Sequence, residues 1–208
     1  MAKFKNFLKW AVIFIVAVYL VLVAVRVFML FGEDRTKAEV EKIHNIKLTL
    51  DDVLGRNLPP EPTAEEAMAT IAGVDVNQNG IRDDVELAIF KEYPDSTKTR
   101  AVLLQYALAL QMEMTQKIVN TETVTEAITE LSRADTCLAD QIVPRKSLET
   151  SRSYSDIEKI DSYIKFVEGL QFDTEYRLTA RGNFYEKLGS FGESTNKVCD
   201  VDSSLLPN

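Results

Sequence analysis

The chain opens with one unbroken apolar run and then settles into helical periodicity. Trp10 to Phe31 is apolar except for Arg26. At 1.5 Å per residue such a stretch makes a helix of roughly 33 Å, enough to cross a hydrocarbon core of about 30 Å. Residues 9–31 are therefore expected to be a transmembrane anchor behind a short tail, 1–8. Arg26 lies near the far end, where its long side chain can reach the interface. Val21 to Gly32 is bulky and lacks an Ala-x-Ala-like cleavage site, which favours a retained anchor over a cleaved signal peptide.

Beyond the anchor, apolar residues recur at spacings of three and four, the period of amphipathic helices. A charged helical run continues to Asn45. Residues 46–62 read as a linker, because Gly55, Pro59, Pro60 and Pro62 interrupt any helix. Thr63 and Glu66 form a capping box for a short helix to about Ala72. Asp83 to Tyr93 carries Val85, Ala88, Ile89 and Tyr93 on one face, and Pro94 ends it. Ser96 to Val119 is expected to be the central helix, since Ala101 to Leu110 is apolar nearly all round and must be buried.

Three more helices complete the pattern. One is expected to start at Thr123, boxed with Glu126, and to run to Ile142. The next starts at Ser155, boxed with Glu158, and runs to Phe172. The last covers Thr174 to Phe191, with Leu178, Tyr185, Leu188 and Phe191 facing inward. No segment alternates as a strand. The expected fold is all-α: an N-terminal transmembrane helix, a juxtamembrane helix and Pro-rich linker over 32–62, and an extracytoplasmic helical bundle over 63–208.

Charge sets the orientation. Lys3, Lys5 and Lys9 precede the apolar run, while Glu33 and Asp34 follow it. The positive-inside rule places the N-terminus in the cytoplasm and the bundle on the other side. The whole chain carries −8, and its first 31 residues contribute four positive charges and no negative ones, so the remainder carries −12. That surface disfavours nucleic acid and anionic lipid as partners of the bundle. Cys137 and Cys199 are expected to pair as a disulfide in an oxidising compartment. No Asn-x-Ser/Thr acceptor occurs, which favours a bacterial periplasm over a eukaryotic secretory lumen.

One stretch names a chemistry. Asp75-Val-Asn77-Gln-Asn79-Gly80-Ile81-Arg82-Asp83-Asp84-Val-Glu86 puts oxygen side chains at positions 1, 3, 5, 9 and 12, with glycine at 6. A calcium ion needs six to eight oxygens, and a short loop can supply them only by turning sharply. Asp75, Asn77, Asn79, Asp83 and Glu86 would offer side-chain oxygens, and Ile81 its carbonyl. Asp84 is expected to lie outside this set, at the start of the following helix. This spacing resembles the EF-hand loop and the acidic loops of dockerins and thrombospondin type 3 repeats. The Asn-Gly-Ile-Arg-Asp-Asp-Val-Glu core also resembles that of small envelope proteins of Gram-negative bacteria. The likeness implies a structural Ca2+ site, and it is confined to 75–86 and the flanking helices. The EF-hand's apolar residue at position 8 is replaced here by Arg82, and there is no second loop.

Catalytic patterns are missing. The chain has one histidine, His44, and no His-Glu-x-x-His, Walker A or dinucleotide-binding glycine motif. Tyr93, Tyr106, Tyr163 and Tyr185 read as core aromatics. The expectation is a calcium-stabilised binding or scaffold protein, held on the inner membrane by a single pass and contacting another envelope protein. A calcium-responsive regulator is the alternative, and a carboxylate-based hydrolase a more distant one.

Overall fold

The computed structural model describes residues 2–145, 147, 150–190 and 197–207. Among these residues every regular element is helical. Helix α1 runs without a break from Ala2 to Asn45. Its apolar stretch is long enough to cross a membrane and is covered by no other part of the chain. Past that stretch the same helix enters the bundle, where Thr36 and Ile43 are buried.

The segment expected as a linker is docked instead. Leu48 is in the core, and a short helix α2, Leu50–Leu54, follows it and buries Val53. Thr49 and Asp52 cap it reciprocally, and Gly55 closes it at φ +71°. A Cβ on Gly55 would come within 2.8 Å of the Phe90 ring, so the close approach also requires glycine. Of the residues beyond α2, Pro59 is buried and Leu58 is exposed.

Helix α3, Ala64–Met68, starts at the expected Thr63–Glu66 box and stops a turn early. The candidate loop follows, then α4, Asp83–Glu92. Helix α5, Thr97–Thr115, is the axis of the bundle, with every residue from Arg100 to Glu113 buried. It packs against α2 and α4, against α6 (Thr121–Ile142), against α7 (Tyr154–Gln171), and against α8 (Glu175–Tyr185). Helix α1 docks on α6.

Two caps differ from expectation. Asn120, not Thr123, begins α6: its side-chain oxygen accepts the Thr123 N–H, and the Thr123 hydroxyl answers the Asn120 N–H. Ser153 and Asp156 cap α7 in the same way, in place of Ser155 and Glu158. In both cases a box closer to the N-terminus adds hydrogen-bonded residues to the helix. The final α-helix ends at Tyr185 and buries Arg177 and Phe184; Tyr185 and Leu188 pack against the core as expected, while Leu178 is exposed. Phe191 lies outside the described residues.

The tail returns to the core through Cys137–Cys199, a disulfide with Cα atoms 5.2 Å apart. A 3₁₀ turn, Ser203–Leu205, follows, and Leu206 is buried.

Candidate metal centre

The loop between α3 and α4 is organised by its own side-chain oxygens. Asp75 accepts hydrogen bonds from the Asn79 N–H at 3.1 Å and the Gly80 N–H at 2.9 Å. The Asn79 side-chain oxygen accepts from the Ile81 N–H at 2.9 Å, and that of Asn77 leans on the Asn79 N–H at 3.4 Å. Each bond turns the chain inward by local Asx geometry. Gly80 has φ +85°, and a Cβ there would sit 2.7 Å from Leu108 Cδ1. Sterics and backbone conformation both demand glycine.

Asp83 and Glu86 project from the first turn of α4, and both are fully buried. The Asp83 carboxylate accepts from the Val76 N–H, while its own N–H donates to the Val74 carbonyl at 2.9 Å. Burial raises the pKa of Asp83. Glu86 Oε2 accepts from the Asn77 amide nitrogen at 3.0 Å, and Glu86 Oε1 has no hydrogen-bond partner. Burial pushes the Glu86 carboxyl up to about 7, against the downward pull of the Asn77 bond. An orphaned, buried carboxylate oxygen is costly to keep.

The six expected ligand residues are thus gathered on one short loop and the helix that leaves it. Among the described residues, no three Asp, Glu, His or Cys side chains form a metal-holding cluster by themselves. The loop's donor set is mixed: carboxylates from Asp75, Asp83 and Glu86, amides from Asn77 and Asn79, and a carbonyl from Ile81. An all-oxygen set suits a hard cation, and a cation would satisfy Glu86 Oε1.

Two arginines that the sequence pattern did not single out hold the loop in place. Arg82, fully buried, bonds Asp84, the Leu170 and Gln171 carbonyls, and Asp173 at 3.2 Å. Arg177, also buried, bonds the carbonyls of Ala67, Thr70 and Ile71 and pairs with Asp173 at 2.6 Å. Arg177 thereby satisfies carbonyls at and just beyond the end of α3, and Arg82 satisfies carbonyls at the end of α7. The basic residue at loop position 8 was the visible signal for the first. Nothing local marks the second.

Two other polar clusters are built for support. Glu130, on α6, meets His44 at 2.9 Å, Lys47 at 2.5 Å and Arg133 at 2.7 Å, and Arg133 continues to Asp200. His44 also reaches Glu126 at 3.1 Å. Burial acts to raise the Glu130 pKa, but the bonds from Lys47, His44 and Arg133 outweigh it and hold the carboxyl below its usual range. Glu113 accepts from the Tyr185 hydroxyl at 2.6 Å and from Arg181 at 2.9 Å.

Comparison with known protein families, curated proteins and solved structures finds no match.

Proposed function

We propose that residues 75–86 bind calcium as a structural staple in a membrane-anchored helical domain. The domain acts as a binding or scaffold module on the extracytoplasmic face, contacting another envelope protein. The carrying observation is Glu86: a fully buried carboxylate, at loop position 12, with one oxygen unpartnered amid five other oxygen-bearing ligand positions. The ion would supply positive charge to a loop whose ligand positions include the carboxylates of Asp75, Asp83 and Glu86. Two amide ligands reduce the negative charge, which suits the weak range of extracellular modules, about 10⁻⁴–10⁻³ M.

The single apolar span and its basic flank support the inner-membrane anchor with the N-terminus in the cytoplasm. The disulfide supports an oxidising compartment such as the periplasm. The ionised clusters around Glu130 and Glu113 are tied to partners within the fold, which supports a scaffold rather than a reaction centre.

Thermal melting of the full chain in detergent tests the metal. Calcium at about a hundred times its Kd adds about 2.7 kcal/mol, or roughly 5–10 °C for a domain of this size. Magnesium, which demands a tighter octahedron, adds less. Equal melting in calcium and in chelator removes the metal reading. Crosslinking in native membranes tests the partner: a stoichiometric second protein supports the scaffold reading, and recovery of this chain alone overturns it.

A further inference from the structure

The candidate loop touches the path from the membrane helix into the bundle at two places. Its tightest turn lies against Ile46, the first residue after α1: a Cβ on Gly80 would be 3.3 Å from Ile46 Cγ2. Its third residue reaches the far end of α2, where the Asn77 amide nitrogen donates to the Asn57 carbonyl at 2.9 Å. That same nitrogen also donates to Glu86 Oε2 at 3.0 Å. Between the two contacts runs residues 46–57, which carries α2 and the buried residues Leu48, Asp52 and Val53.

We propose that cation occupancy of the loop sets how firmly segment 46–57 is seated, so that the metal stiffens the joint between the membrane helix and the bundle. This rests on the metal reading above. Without a cation, Glu86 Oε1 stays buried with no hydrogen-bond partner, a cost that opening the loop relieves. Such opening loosens the loop's hold on Ile46 and Asn57 together. A bound cation satisfies that oxygen, and by taking the Asn77 side-chain oxygen it fixes the plane of the amide whose nitrogen holds Asn57. The joint matters because α1 enters the bundle as one continuous helix. Firmly seated, it transmits the position of the membrane span to α6 and α5; loosened, it pivots.

Hydrogen exchange read by mass spectrometry on the full chain in nanodiscs tests this, with calcium or with chelator. With calcium at about ten times its Kd, openings that release the ion are suppressed roughly tenfold. Exchange should therefore slow by about that factor in 75–86 and in 46–57 alike. Ile46→Ala separates the two effects, because it leaves every loop residue in place and removes the side chain that lies against Gly80. In that variant calcium should still slow exchange in 75–86 while its effect on the start of segment 46–57 is reduced. A wild-type loop that calcium protects beside a segment 46–57 that exchanges at one rate in both conditions overturns the coupling alone. A loop whose exchange ignores calcium overturns the metal reading, and the coupling with it.

Discussion

Arg82 in the candidate loop and Asp173 at the turn between α7 and α8 form an ion pair at 3.2 Å, although 91 residues separate them. The guanidinium is wholly buried. Its other bonds run to Asp84 and to the carbonyls of Leu170 and Gln171. The pair locks the second half of the loop to the side of the bundle that α7 forms against α5.

Removing that guanidinium strands several buried acceptors. Arg82→Ala is expected to destabilise the fold by about 3–5 kcal/mol, the usual cost of breaking a buried pair from one side. Arg82→Lys restores the charge but not the planar fork, so it should fall between the two. Melting followed by circular dichroism checks both. A change in Arg82→Ala within about 1 kcal/mol would show that the pair is idle.

Glu86 gives the metal-free protein a distinctive pH dependence. Its folded pKa of about 7 exceeds the ordinary 4.5, so the folded state holds the proton more tightly than the unfolded one. The stability this group contributes is full below the ordinary value and is lost as pH rises towards 7. In chelator, wild type should therefore lose stability over that window relative to Glu86→Gln. On the proposed metal reading the order reverses in calcium, because the ion would need the carboxylate and Gln cannot supply it. Paired melting curves from pH 4.5 to 7.5 test this. Parallel curves for the two proteins in chelator would refute the raised pKa.

Glu130 works with the opposite sign. Its folded pKa lies below 4.5, so its contribution is present above the ordinary carboxyl range and lost as pH falls through the folded value. Glu130→Gln should flatten the acid limb of the stability profile. It should also lower stability near neutrality, because Arg133, Lys47 and His44 lose a shared acceptor. Acid titration of both proteins by circular dichroism reads this directly. An unchanged acid limb would count against the network.

The Cys137–Cys199 bond spans 62 residues. By loop-closure entropy it stabilises by about 4 kcal/mol. Its loss should also free Asp200, which accepts from the Leu48 N–H and pairs with Arg133. Replacing both cysteines by Ala is expected to lower the melting temperature by roughly 8–16 °C, at about 2–4 °C per kcal/mol. The readout is melting of the double variant beside the reduced wild type. Equal melting of oxidised and reduced wild type would mean that the tail is held by its other contacts.

Gly80→Ala probes the turn itself. The residue has φ +85° and faces Leu108 at contact distance. Alanine pays about 1–2 kcal/mol for the left-handed backbone alone, and the Leu108 clash adds to it. Calcium affinity measured by titration calorimetry should fall with stability. Wild-type melting and affinity in this variant would exclude the strained turn.

Local pattern alone determined much of this molecule. A run of apolar residues longer than a bilayer core made a helix long enough to cross a membrane, and the all-round apolar stretch 101–110 marked the buried axis, because both depend only on neighbouring side chains. The turn at Asp75–Gly80 was equally legible, since Asx turns and a left-handed glycine act within a few residues. Tertiary structure decided what lay across the chain. Residues 46–62 look like a linker because prolines stop helices, yet they dock because the core accepts Leu48 and Val53. Thr123 looks like a cap in isolation, but Asn120 accepts the Thr123 N–H and starts the helix about a turn earlier. Gln171 sits at an apolar position of the α7 stripe and is fully buried because its amide meets the Ala107 carbonyl at 2.9 Å. Arg82 and Arg177 carry charge that sequence reasoning assigns to solvent. They are buried because their acceptors come from elements about 90 to 110 residues away. Periodicity reports which face of a helix is apolar, whereas the partner of a buried charge exists only once the chain has closed on itself.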